Sequence, residues 1–454
     1  MADLGAIVKA YDIRGVVGEQ LDAATVRDIG AAMAALVRGE GATGVVIGHD
    51  MRDSSPELSA AFAEGVTGQG LDVVSIGLAS TDMLYFASGT LGLPGAMFTA
   101  SHNPARYNGI KLCRAGATPI GQDTGLAAIR AAVEAGVPAG PGGGTVSHRE
   151  LLSEYAAYLR KLVDLSSSRR LRVVVDAGNG MGGHTVPAVL GTDSGLPIDV
   201  VPMYFELDGS FPNHEANPLD PANLVDLQRR VVAEGADIGL AFDGDADRCF
   251  VVDERGAPVS PSAITALVAV RELATSPGAT VIHNLITSRA VPEIVAEHGG
   301  IPVRTRVGHS FIKQTMAETG AVFGGEHSAH YYFRDFWKAD SGMLAALHAL
   351  AALAEQDAPL SQLMADYERY SASGEINSTV PDQAGRVAAV RAIYAEREGV
   401  EFDELDGLTV SLPDGSWFNL RPSNTEPLLR LNVEAADEAA VAALRDEVLA
   451  VVRA

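Results

Sequence analysis

Three short apolar runs rich in β-branched residues, Val45-Val46-Ile47, Val173-Val174-Val175 and Thr280-Val281-Ile282, constrain this chain more than any other feature. Each leads into a polar loop (Gly48-His49-Asp50, Asp176-Ala177-Gly178-Asn179-Gly180, His283-Asn284) and then into a segment of helical period. Strands too apolar to face water, alternating with helices, predict α/β architecture with sheets covered by helices. The runs recur about 105 to 130 residues apart, which predicts three α/β units of similar plan. The C-terminal stretch differs. Trp417 to Arg421 and Leu428 to Val433 alternate like paired strands, and Val441, Leu444, Val448 and Val451 come after them at helical spacing. This predicts a smaller α+β domain.

Length alone, 454 residues, suggests about three domains at roughly 150 residues each. The Pro- and Gly-dense stretch from Val137 to Gly144 places a boundary near 145, and Gly256-Ala257-Pro258 marks a second. Charge excludes whole classes of partner. With 34 Lys and Arg against 58 Asp and Glu, the formal charge is −24, so nucleic acid and acidic membrane surfaces are repelled. Two cysteines, Cys113 and Cys249, make neither a disulfide framework nor a thiolate metal site. The N-terminus lacks a basic segment followed by an apolar one, and Met343 to Ala354 is too short to span a bilayer. A cytoplasmic protein is expected.

The strongest local signal is Asp243-Gly244-Asp245-Ala246-Asp247-Arg248, set between apolar strands. Carboxylates at i, i+2 and i+4 in a tight loop converge on one hard cation, as oxygen ligands do for Mg²⁺. A calcium loop fits less well, because its sixth position needs Gly and holds Arg248, and strands rather than helices flank it. Thr99-Ala100-Ser101-His102-Asn103-Pro104 is either a candidate phosphate carrier or an ordinary turn before a proline. The lack of a G-x-S-x-G elbow makes a serine hydrolase less attractive, and the lack of any Gly-Lys dipeptide excludes a Walker A loop. A formal G-x-G-x-x-G from Gly178 to Gly183 is set back from its strand by Asp176 and Ala177, and is read as a structural turn. Gly324-Gly325-Glu326-His327-Ser328-Ala329-His330 is a polar loop suited to a polyhydroxylated ligand. Arg421-Pro422-Ser423-Asn424-Thr425-Glu426-Pro427 supplies a guanidinium, two hydroxyls and backbone N–H donors, the set a dianionic phosphate needs.

Taken in order, these blocks resemble the α-D-phosphohexomutase superfamily, in particular its bacterial phosphomannomutase and phosphomannomutase/phosphoglucomutase members. Tyr11-Asp12-Ile13-Arg14-Gly15 is similar to the family's opening motif, and Asn108 to Lys111 and Val307 to Ser310 to two smaller signatures. The resemblance spans residues 11 to 427 and implies four domains around a central cleft: 1–145, 146–254, 255–368 and 369–454, carrying phosphoserine, metal, sugar and phosphate loops respectively. It implies a phosphoserine at Ser101 and one Mg²⁺ held by Asp243, Asp245, Asp247 and a phosphoryl oxygen on Ser101. It further implies Lys111 as acid/base, then His330 and His102, with Arg14 and Arg248 balancing phosphoserine charge. Glu326, Ser328 and His330 would meet the sugar, Arg421, Ser423, Asn424 and Thr425 its distal phosphate, with Tyr11 and His309 as outer contacts.

The implied reaction interconverts hexose 1-phosphate and hexose 6-phosphate, mannose first, through a hexose 1,6-bisphosphate that also serves as activator. Phosphoglucomutase, phosphoglucosamine mutase and a non-catalytic sugar-phosphate binder are the alternatives. Ile286 stands where some bispecific members have a ligand-contacting Lys, and Ala329 where Gly is commoner. Hexose phosphates are the expected partners, and the expected state is monomer or homodimer.

Overall fold

The computed structural model describes residues 3–166, 168–423 and 428–454. They form four sheets, three mixed and one antiparallel. The mixed sheets share one plan. In the first, Asp72–Leu78, Gly44–His49 and Gly95–Phe98 run parallel and Tyr107–Arg114 returns antiparallel. In the second, Ile198–Met203, Leu171–Asp176 and Ile238–Phe242 are parallel and Cys249–Asp253 returns. In the third the same places are taken by Ile301–Thr305, Thr280–Asn284, Phe323–Gly325 and Tyr331–Phe333. The three β-branched runs of the sequence are therefore the middle parallel strands of three like sheets.

This plan decides where function can sit. In each unit the chain leaves the third parallel strand and turns back into the antiparallel strand. Those three equivalent turns hold Ser101, Asp243 to Arg248, and Glu326 to His330. Each contains one non-glycine residue in the left-handed region: Ser101 (φ 51°), Ala246 (59°) and Ala329 (64°). The strands leading in, such as Gly95–Phe98 and Ile238–Phe242, are buried along their whole length. Covered on both faces, they can be continuously apolar and rigid up to the turn.

The first sheet also takes in Ile13–Val16 and, at its far edge, Val146–His148. A first boundary at 145 therefore falls short, because Val146–His148 pairs with Asp72–Leu78. The fourth sheet orders Ser371–Thr379, Leu428–Ala435, Trp417–Pro422, Leu408–Ser411 and Glu401–Asp403. The helix Glu438–Val452 packs on it, capped by Asp437, whose carboxylate accepts from Ala440 N at 2.8 Å. Among the described residues no helix is long and apolar enough to cross a membrane.

Candidate active site

The loop Asp243 to Arg248 joins two fully buried strands, so its three carboxylates are buried with it. One oxygen from each of Asp243, Asp245 and Asp247 lies within 4.8 Å of the others. Like charges this close are costly unless matched by cations and hydrogen bonds. Lys111, on the returning strand of the first unit, places Nζ 2.7 Å from Asp245 Oδ2 and 2.5 Å from Asp247 Oδ2. Thr81 Oγ1 donates to Asp245 Oδ2 at 2.5 Å. Arg248 pairs with Asp243, its Nε donating at 2.9 Å. Even so, Asp245 Oδ1 and Asp247 Oδ1 are buried with no hydrogen-bond partner. A converging set of hard oxygen donors with two such orphans fits a divalent cation.

The electrostatics are divided within the triad. Burial raises Asp243 to about 7, against the pull of Arg248 and with a push from the other two carboxylates. Burial would raise Asp245 too, but the charge and hydrogen bond of Lys111, with Thr81, hold it below the usual carboxylate range. Lys111 loses hydration, yet Asp245 and Asp247 raise it well above an ordinary lysine, so it stays cationic.

Ser101 meets this triad directly. Its Oγ donates to Asp243 Oδ2 at 2.9 Å and lies 3.2 Å from His102 Nδ1. Arg248 Nη2 lies 3.4 Å from the same Oγ and 2.5 Å from His102 Nδ1. A guanidinium is always a donor, so His102 Nδ1 is the acceptor and the ring proton sits on Nε2. Burial, then Arg248 and Arg14, hold His102 well below the usual histidine range. The close approach of the two loops depends on Gly244, where a side chain would overlap the Ser101 carbonyl oxygen. Arg14 donates to Asn103 Oδ1 at 2.5 Å and pairs with Asp12, which puts it on the serine loop.

The sugar-loop candidates divide. His330 reaches the triad, with Nε2 3.8 Å from Asp247 Oδ1 and Nδ1 3.1 Å from Ser328 Oγ. Glu326 is buried, and its carboxylate accepts from Asn284 Nδ2 at 3.1 Å and from Tyr332 Oη at 2.5 Å. Tyr11 packs edge-on against Phe311; burial and then the charge of Glu326 raise its pKa, while Arg306 and Arg421 oppose this. The opening motif therefore lies within electrostatic reach of both the sugar loop and Arg421. Arg421 is directed toward Glu375, Nη2 to Oε2 3.4 Å, and burial lowers its pKa. Ser423 N donates to Leu428 O at 2.8 Å. Asn424 and Thr425 lie outside the described residues, as does the side chain of His309.

Ile286 stands apart from this cluster. It lines a cleft of about 530 Å³ with Ser288, His327 and Trp417. The G-x-G-x-x-G turn is packed under the metal loop, with Met181 N donating to Gly244 O at 2.9 Å, and a side chain at Gly180 would collide with Gly244. Sequence reasoning missed Thr81, Asn284, Tyr332 and Arg52, the last fully buried beneath the serine loop. For Arg52 a signal existed: the polar loop after the first β-branched run continues as Asp50-Met51-Arg52.

Four family models match in chain order. They are the phosphoglucomutase/phosphomannomutase α/β/α domains I (residues 5–138), II (153–256) and III (260–370), and the C-terminal domain (375–451). A phosphomannomutase of Escherichia coli is 41% identical over 456 residues, covering 98% of each chain. A protein of Xanthomonas campestris described as phosphohexose mutases is 42% identical, covering 97% of each. A solved phosphoglucomutase/phosphomannomutase family protein of Burkholderia thailandensis superposes with TM-score 0.90 at 34% identity, covering 100% of this chain and 98% of that one. The chain belongs to the phosphoglucomutase/phosphomannomutase family of the α-D-phosphohexomutase superfamily, a family of isomerases.

Proposed function

We propose that the chain interconverts hexose 1-phosphate and hexose 6-phosphate, with mannose phosphates as its principal substrates, using Ser101 as phosphoryl carrier. The observation that carries this is the 2.9 Å hydrogen bond from Ser101 Oγ to Asp243, at the edge of the buried triad. The mannose preference is supported by the phosphomannomutase relative of Escherichia coli. The four units we assign to the chain are 1–148, 149–254, 255–368 and 369–454, the first lengthened to keep the edge strand Val146–His148.

In the resting enzyme Ser101 carries the phosphoryl group. Asp243, Asp245 and Asp247 would hold one Mg²⁺, which when bound would supply withdrawal of negative charge during transfer. Arg421, Ser423, Asn424 and Thr425 hold the phosphate of a hexose 1-phosphate. Glu326 and Ser328 orient its ring, and Tyr11 and His309 bound the ligand beyond them. The sugar 6-hydroxyl attacks the phosphorus of phospho-Ser101 in line, and the Ser101 Oγ–P bond breaks as the new O–P bond forms. His330 takes the hydroxyl proton, and Lys111, held cationic, returns a proton to the serine oxygen. Arg248 and Arg14 offset negative charge at the serine loop, and His102, neutral, fills the space beside Oγ. The hexose 1,6-bisphosphate then turns over in the cleft. Its other phosphate passes back to Ser101, and hexose 6-phosphate leaves.

The test is a side-by-side assay of mannose, glucose and glucosamine 1-phosphates with Mg²⁺ and catalytic hexose 1,6-bisphosphate, with and without EDTA. Mannose 1-phosphate should turn over fastest, EDTA should stop the reaction, and Ser101→Ala should abolish it. Preferred turnover of glucosamine 1-phosphate would replace the substrate assignment, and an active Ser101→Ala variant would overturn the phosphoserine route.

A further inference from the structure

Arg52 sits 1% exposed at the floor of the serine loop, on the first unit. A guanidinium has five N–H donors in a fixed plane. All five are used. Nε donates to Asp50 Oδ2 at 3.2 Å. Nη1 donates to the carbonyls of Pro104 and Tyr107, each at 3.0 Å. Nη2 donates to the carbonyls of Ser101 at 2.9 Å and Asn103 at 2.7 Å. Asp50 is itself fixed, accepting from Ser55 Oγ at 2.6 Å and from the Arg52 N–H at 3.0 Å. On its other face the guanidinium lies 5.1 Å from the centre of the Phe211 ring, which belongs to the second unit. A side chain at Gly209, beside that ring, would run into the Arg52 backbone.

Burying a cation so deeply is expensive, and Asp50 pairs with it directly while the charge of Asp245 adds support from farther away. What the arrangement achieves is geometric. Four carbonyls of one short loop converge on one rigid group, and one of them belongs to Ser101, whose backbone sits at φ 51°, a conformation residues with a side chain avoid. The same group is braced against the unit that carries the triad. We propose that Arg52 is a positioning residue for phosphoryl transfer: it fixes the loop from 101 to 107, and so the direction of Ser101 Oγ toward Asp243. This rests on the reading of Ser101 as phosphoryl carrier. Lysine cannot replace it, because one ammonium has three donors on a flexible stem and cannot span four carbonyls.

Two full-length variants, Arg52→Lys and Arg52→Met, test this by steady-state kinetics, amide hydrogen exchange and thermal melting. A misplacement of about 1 Å costs roughly 100-fold in rate. We therefore expect kcat per folded molecule to fall about 100-fold in Arg52→Lys, with KM for hexose 1-phosphate unchanged within about twofold, since Arg421 and the sugar loop are untouched. The amides of Asn103 and Tyr107, which donate to the carbonyls of Ala100 and Pro104 at 3.0 Å each, should exchange faster than in the native chain, with other protected amides unaltered. A merely structural role would lower the folded fraction and leave kcat per folded molecule alone; that result overturns the proposal. Unaltered exchange in the loop overturns it as well, whatever the activity. If the native chain shows no mutase turnover the carrier reading fails by itself, and the exchange data still decide whether Arg52 holds the loop.

Discussion

The first three units and the fourth are joined in opposite ways. One continuous apolar cluster takes residues from all three mixed sheets and their helices, among them Val46, Met83, Val173, Leu240, Val281 and Leu347. The fourth unit has a cluster of its own, from Val380 to Val452. Where the first three meet, the polar contacts are buried: Asp82 accepts from Ser80 Oγ at 2.5 Å, Tyr155 Oη at 2.7 Å and Ser341 Oγ at 2.6 Å, one donor from each unit. The seam to the fourth is polar and half-exposed. Arg304 bonds Asp403 Oδ2 at 2.8 Å and Thr409 Oγ1 at 3.2 Å, and Arg289 Nη1 bonds Gly415 O at 2.6 Å. Clefts of about 530 and 370 Å³ lie along it. Serine, metal and sugar loops thus ride on one body, while Arg421 rides on another held by replaceable contacts. The bisphosphate route proposed above would use this division, with a fixed transfer site and a phosphate grip that can let go.

Asp82 offers the largest effect. Asp82→Ala leaves three buried hydroxyls without their acceptor, at about 1–3 kcal/mol each. A loss of about 3 kcal/mol or more is expected in denaturant unfolding; an unchanged midpoint would mean that the junction holds nothing together. Burial, opposed by the three hydroxyls and helped by the charge of Asp247, raises Asp82 from 3.8 to about 6. The folded chain therefore keeps a proton that the unfolded chain gives up above about pH 4. The stabilisation is complete below that pH and is lost as pH rises through about 6, by about 3 kcal/mol. Asp82→Asn has no such proton to lose. Its stability relative to the native chain should rise over this window, and a flat difference would refute the assignment.

A second, smaller effect comes from Gly89 on the helix Thr81–Leu91. Trp337 of the third unit lies against it and stacks on Tyr158 of the second, ring centres 5.4 Å apart. Any side chain at 89 would overlap the indole, an atom group with no free end to swing away. Gly89→Val should cost about 1–3 kcal/mol by overpacking. The melt should show the first three units destabilised together. Full stability in this variant would show the shared seam to be softer than the contacts indicate.

Much of this was legible in the sequence, for definable reasons. The β-branched runs predict strands because they are buried on both faces, and Asp243 to Arg248 predicts a cation site because its carboxylates are local to one turn. The Pro/Gly stretch was less exact. It signals a loop, but the next element is an edge strand of the same sheet, since pairing of Val146–His148 with Asp72–Leu78 depends on partners far along the chain. Thr81 was not legible for the same reason, and Arg52 only as one more polar residue of the loop after the first β-branched run. Each acts on a residue remote in sequence, and an Arg in a polar loop ordinarily reads as solvated. Nor does sequence distinguish the directions of neighbouring side chains in the sugar loop, where Ser328 meets His330 while His327 turns away to Ser262, 3.0 Å from its Oγ.

The smallest effect belongs to the fourth unit's seam, and it carries the contrast. Arg304 and Asp403 are about one third and two fifths exposed, so their ion pair is screened and contributes under about 1 kcal/mol. Arg304→Met should therefore leave unfolding almost where it was, far from the loss in Asp82→Ala. Its consequence should appear instead in shape and binding: a larger radius of gyration by small-angle scattering without ligand, and a KM for hexose 1-phosphate raised a few-fold at unchanged kcat. The two variants together discriminate between the alternatives. If Arg304→Met melts as low as Asp82→Ala, the fourth unit shares the stability of the other three, and the polar seam is a structural joint. If it alters size and KM alone, the seam is a latch whose bonds are weak because they must be remade at each turnover.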